Sequence, residues 1–234
     1  MSNWSKWQPT EADDLIGRSI RGAYDNILAQ IRYARDTSGR ECTGTFMLCG
    51  PPGIGKTTVA RLLAREWVEY DTGDWSEMNF KSWKGRQVGI DTVSKEIDAS
   101  QSYSLFGKYR CLVINEADQV QPAAQDIMLD WLEDELPEGY LVFGTTNLRA
   151  TAQGHLDKKE VSKKTKAAEY LSPKFVSRFE IYDVKAPTKE EAAAGLSRIT
   201  DTPPEIALAA ARKSAGDLRQ AFKEINKYKT ALLV

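Results

Sequence analysis

"GTFMLCGPPGIGKTTVARLLAREWVEY", residues 44–70, decides the fold class. Its first seven residues are a short apolar run closed by glycine, the signature of a buried strand. Its last part repeats Val59, Leu62, Leu63 and Trp67 at helical spacing, which makes one apolar helix face. The turn between them fits G-x-x-x-x-G-K-[ST] with Gly50, Gly55, Lys56 and Thr57. Glycines let the backbone curl so that its N–H groups converge on an anion, and the helix that follows adds its positive end. Lys56 is then expected to reach the β- and γ-phosphates, and the Thr57 hydroxyl to ligate magnesium. A strand before and an amphipathic helix after distinguish such a phosphate cradle from a chance glycine-rich turn. Gly50, Pro51, Pro52, Gly53, Ile54, Gly55, Lys56, Thr57 and Thr58 are therefore the expected phosphate loop.

Working outward, "CLVIN" (111–115), "YLVFGTTN" (140–147) and "EIYDV" (180–184) read as further strands. "PAAQDIMLDWLEDEL" (122–136) reads as a helix with Ile127, Met128, Trp131 and Leu132 inward. Continuous apolar strands alternating with helices predict an α/β domain, a parallel sheet covered on both faces. After Pro187 the pattern is helical only, with Thr188 and Asp217 near helix starts. The reading is an α/β nucleotide-binding domain over 1–186 and a helical lid over 187–234.

Bulk composition narrows the partners. A net charge of -1 creates no global field toward nucleic acid, so any such contact needs a local basic face. No apolar run is long enough to span a bilayer, which predicts no membrane partner. Cys42, Cys49 and Cys111 lack metal or redox spacing and fit reduced thiols in a cytoplasmic protein. The lone histidine, His155, cannot build a cluster.

The remaining motifs carry a resemblance. "WQPTEADDLIG" (7–17) precedes the phosphate loop's strand, and "NEADQVQPAAQ" (115–125), "GTTN" (144–147), "SPKFVSRFE" (172–180) and "SAGDLRQAF" (214–222) follow it in order. Together they resemble AAA+ ATPases, specifically clamp-loader subunits such as replication factor C small subunits and sliding-clamp loaders. The resemblance implies that Trp7, Pro9, Leu15, Ile16 and Gly17 help enclose adenine. It makes Glu116 the general base, Asn147 the sensor 1 residue and Arg219 the γ-phosphate sensor on the lid. It also makes Arg178 an arginine finger reaching a neighbouring subunit, which implies other AAA+ subunits as partners in a homo- or hetero-oligomer. ATP and Mg2+ are the implied ligands. Phe179 stands where the family has cysteine, and Trp7 where it has tyrosine.

One departure bears on the chemistry. Asn115 occupies the position of a carboxylate that supports magnesium through a bound water. An amide oxygen still accepts a hydrogen bond but supplies no charge. Loss of one charge-assisted bond is about 1.5–3 kcal/mol, or about ten- to 150-fold in rate if it falls wholly on the transition state. Slowed hydrolysis is expected rather than none, and an aspartate at this position is expected to run faster.

"SWKGRQVGIDTVSKEI" (82–97) resembles the stretch that faces duplex DNA in clamp loaders, with Lys84, Arg86, Thr92 and Lys95 as phosphate contacts. A solvated helix face is the plain alternative. The lysine-rich run 157–170 (Lys158, Lys159, Lys163, Lys164, Lys166) reads as a solvated face, or else faces DNA or a subunit. The family usually adds a helical collar domain, whereas this sequence ends at Val234 soon after the lid. The expected activity is ATP-driven remodelling of a DNA-associated complex, most specifically sliding-clamp loading. The alternatives are an ATP-held scaffold with little hydrolysis, or another AAA+ motor acting on DNA junctions or protein substrates.

Overall fold

The computed structural model describes residues 7–37, 44–72, 79–102, 108–148 and 171–231. The run 157–170 lies outside the described residues, so its reading stays with the sequence. The element order is α1 (Arg18–Asp36), β1 (Thr45–Cys49), α2 (Lys56–Thr72), β2 (Phe80–Lys84), α3 (Ile90–Ser100), β3 (Arg110–Asn115), α4 (Pro122–Asp130) and β4 (Tyr140–Thr146). The short α5 (Pro173–Val176) and β5 (Glu180–Asp183) follow, then α6 (Lys189–Thr200), α7 (Pro204–Ser214) and α8 (Leu218–Ala231).

The strands form one five-stranded sheet in the order β2-β3-β4-β1-β5, and every neighbouring pair is parallel. Both faces are covered, which is why the central strands read as unbroken apolar runs. Phe46, Leu48, Val113 and Phe143 face α1 and α2, and pack with Ile27, Ile31, Leu63 and Trp67. Their alternates Met47, Leu112, Ile114 and Val142 face the other side and pack with Val93, Met128, Trp131 and Phe175. Phe179 belongs to this second core, 6% exposed and 5.1 Å from the Phe175 ring.

Neither α1 nor β2 was read from the sequence. α1 buries Ile20, Ala23, Tyr24, Ile27, Ile31 and Ala34 along one stripe, but charged residues interrupt that stripe in the linear sequence. β2 is an edge strand with no fully buried residue, so it never makes an apolar run. The stretch 82–97, likened to a DNA-facing one, is strand to Lys84, with α3 starting at Ile90. The single helix expected over 122–136 is α4 followed by a π-helical turn, Trp131–Glu135.

A third core unites α6, α7 and α8 through Leu196, Ala207, Ala211, Phe222 and Ile225. α6 starts with a capping box in which the Thr188 hydroxyl accepts from Glu191 N and Glu191 returns a bond to Thr188 N. Ile16, from the segment before α1, is buried in this same core, and Trp7 packs against it. The N-terminal segment thus crosses the boundary expected at residue 186. Among the described residues no helix is long and apolar enough to cross a membrane.

Candidate functional site

The phosphate loop connects the C-terminal end of β1 to α2, beside β4, at the edge where parallel α/β sheets leave a crevice. A cavity of about 970 Å³ opens there. Its walls bring together residues that lie far apart in sequence. Trp7, Pro9, Leu15 and Ile16 come from the N-terminal segment, and Pro52 to Thr58 from the loop. Glu116 follows β3, Asn147 follows β4, and Arg219 enters from the first turn of α8. Gly17, Gly50, Pro51, Asn115 and Arg178 are not part of this wall.

Lys56 is 7% exposed. Its ammonium donates to Gly50 O (2.8 Å), Pro51 O (2.7 Å) and Asn147 Oδ1 (3.2 Å). Gly50 and Pro51 therefore serve through their carbonyls, which hold the lysine. Burial pushes the Lys56 amine down to about 8, and the nearby Arg219 charge adds to that, while Asp118 acts against it. An anion in the cavity would reverse the balance. The neighbouring Cys49 thiol is pushed up to about 12 by burial, so it is an inert core group.

Glu116 has left-handed backbone angles, φ 55 and ψ 53, that are uncommon for a residue with a side chain. Its N–H donates to the Thr145 hydroxyl (3.3 Å), and its carboxylate is about half exposed, so the turn aims it out of the sheet. Arg86 lies 3.7 Å from that carboxylate and donates to Gln119 Oε1 (3.1 Å). Of the four residues expected on DNA, Arg86 is thus tied to the candidate base. Lys84 and Lys95 are exposed and Thr92 is half-buried. The close approach depends on Gly85, because a Cβ there would lie 2.0 Å from the Glu116 carbonyl oxygen.

Asn115 turns its amide toward the edge strand. Its Nδ2 donates to Ser82 Oγ (3.0 Å) and Trp83 O (3.1 Å). A carboxylate could make neither donation. Its Oδ1 is buried without a hydrogen-bond partner. That orphaned acceptor, with Thr57 on the cavity wall, fits the needs of a water-supported magnesium ion.

The lid touches the loop directly. Leu218 N donates to Gly53 O (3.1 Å), and a Cβ at Gly53 would lie 2.0 Å from the Asp217 carboxylate. Asp217 also caps α8, accepting from Gln220 N (3.1 Å). Phe222, not singled out from the sequence, lines the cavity and stacks on Trp7 with centroids 5.9 Å apart. Its place three residues after Arg219, on the same helix face, was a usable signal. Arg178 lies apart from the cavity and is paired with Glu133.

The geometry can be set beside known proteins. A family model described as "ATPase family associated with various cellular activities (AAA)" matches residues 46–182, more than half of the chain. Human chromosome transmission fidelity protein 18 homolog is 33% identical over 117 residues, 50% of this chain and 12% of that protein. Replication factor C subunit 4 of Encephalitozoon cuniculi is 30% identical over 125 residues, 53% of this chain and 36% of that one. The matched part is thus little more than a third of these relatives at most. Among solved structures, the Thermotoga maritima RuvB Holliday junction branch migration motor superposes with TM-score 0.63 at 21% identity, over 93% of this chain and 63% of that one. At that identity the likeness is one of fold.

Proposed function

This chain belongs to the AAA family of ATPases, and from that premise we propose that it binds and hydrolyses ATP with Mg2+ to remodel a DNA-associated complex, most specifically in sliding-clamp loading. One observation carries the proposal: the phosphate loop, Glu116, Asn147 and Arg219 converge on a single cavity from four separate parts of the chain.

In this reading ATP enters between the N-terminal segment and the lid. Its phosphates take Lys56 from the carbonyls of Gly50 and Pro51, replacing neutral acceptors by charged ones. A magnesium ion held by Thr57, with Asn115 Oδ1 accepting from its water shell, would neutralise phosphate charge. Glu116 takes the proton of the attacking water, which Asn147 helps to orient. Arg219 brings a positive charge to the γ-phosphate from the lid. Arg178 would serve a neighbouring subunit. The Arg86–Glu116 pair ties the candidate base to the candidate DNA face, so phosphate contact at Arg86 would release Glu116 for catalysis.

A second reading is favoured by Asn115. Its amide is committed to β2, and a slow, ATP-held subunit follows if metal support is lost with the carboxylate. The relatives also leave the DNA structure open: the RuvB motor is named for Holliday junctions, and replication factor C for replication. Steady-state ATP hydrolysis with primed duplex, four-way junction or no DNA separates these readings. Primed duplex is expected to stimulate most. Greater stimulation by the junction would move the proposal to a branch-migration type of motor, and equal rates in all three would remove DNA from it.

A further inference from the structure

Arg178 is held against its own chain. Its backbone is fixed, with its N–H donating to Phe175 O (3.2 Å) and its carbonyl accepting from the Thr45 hydroxyl. Phe179 anchors the next position in the core. Only the side chain is left to move, and it lies along its own surface, 26% exposed. The guanidinium pairs with Glu133 of the same chain, and Nη1 also donates to Ser177 Oγ (3.3 Å). Its Nε is buried without a hydrogen-bond partner.

Glu133 reaches this place because α4 ends in the π-helical turn Trp131–Glu135. A π turn rotates the side chains that follow relative to an α-helix and is common where function constrains a helix. Trp131 and Leu132 fill the core from this turn, while Glu133 stays about half exposed. The pair therefore lies at the surface, where another anion can compete for the arginine.

We propose that Glu133 is a positioning residue that keeps Arg178 retracted in the free subunit. On assembly, the phosphates of ATP bound to a second copy of this chain displace the Glu133 carboxylate. The inference rests on the reading of Arg178 as acting in trans. Carboxylate and phosphate are alternative acceptors for the same planar donor fork. The exchange keeps Arg178 ion-paired and relieves the unpaired Nε of the retracted pose. Because both side chains are partly exposed, the restraint is modest, about two- to fivefold in assembly affinity.

Self-association of the full chain, followed by sedimentation with a slowly hydrolysed ATP analogue, tests the proposal. Glu133→Gln should lower the half-saturating protein concentration about two- to fivefold relative to native protein, and Glu133→Asp should stay close to native. Arg178→Ala should weaken association, and the Glu133→Gln effect should vanish in the Arg178→Ala background. Thermal unfolding of each variant establishes that it is folded. If Arg178→Ala weakens association and Glu133→Gln does not strengthen it, the trans reading stands and the restraint is overturned. A Glu133→Gln effect that persists without Arg178 also overturns it. If Arg178→Ala leaves association unchanged, the trans reading fails and the restraint fails with it, and if native protein does not self-associate, the proposed exchange on a second copy is overturned.

Discussion

At the scale of single residues, Asn115 does two things that a carboxylate would divide differently. Its amide clasps β2 through Ser82 and Trp83, and its oxygen is buried without a hydrogen-bond partner. Asn115→Asp gains the charge and loses the clasp, with a carboxylate set against the Trp83 carbonyl. We expect faster turnover together with an unfolding free energy lower by about 1–3 kcal/mol, measured by hydrolysis and by denaturant titration. Unchanged stability would show that the clasp contributes nothing. Lys56 gives a second prediction. Its amine lies near 8 in the ligand-free protein against an ordinary 10.5, and bound phosphate raises it. The complex then holds a proton that the free protein has lost, so ATP affinity falls as pH rises above 8, by up to about tenfold per unit. Calorimetric titration from pH 7 to 10 checks this, and a flat profile would contradict it. The same lysine affects stability with the opposite slope. Between 8 and 10.5 the unfolded chain holds the extra proton, so stability from this group rises with pH.

At the scale of elements, the turn between β2 and α3 is the part whose meaning changed most between sequence and structure. Its basic residues were readable as a charged face, and Arg86 was singled out as a phosphate contact. Its contact with Glu116 was not readable, because it joins the ends of two strands that are adjacent only once the sheet has formed. Gly85 makes that contact possible. Gly85→Ala is expected to push the turn away and, like Arg86→Ala, to lose DNA stimulation of hydrolysis while leaving the nucleotide Kd unchanged. The four strands read from the sequence have buried, unbroken apolar runs or firm boundaries. The edge strand β2 has neither. The amphipathic stripe of α1 was present at helical spacing, yet its charged intervening residues hid it from a search for apolar runs. The phosphate loop was legible because glycine spacing is local chemistry. The retracted Arg178 was not, because Glu133 is distant in sequence and reaches it only through a π-helical turn.

At the scale of the whole molecule, the lid is joined to the nucleotide cavity at both ends of the expected ligand. Leu218 and Asp217 meet the phosphate loop at Gly53, and Phe222 meets Trp7 on the opposite wall. Arg219 lies between them on α8, so one helix would register both the base and the terminal phosphate. Phe222→Ala is expected to weaken ATP binding by about two- to tenfold, in line with an aromatic contact of about 0.5–1.5 kcal/mol. Tripolyphosphate, which has no base, should bind the variant and the native protein equally. Equal losses for both ligands would instead mean that the variant disturbs the loop. Single-turnover hydrolysis of radiolabelled ATP tests the chemistry at this cavity most directly, with native protein beside Glu116→Gln. We expect the native protein to convert bound ATP to ADP and phosphate, and Glu116→Gln to bind ATP without converting it. Native protein that holds ATP as long as Glu116→Gln does would contradict the claim of an ATPase and leave an ATP-bound structural subunit in its place.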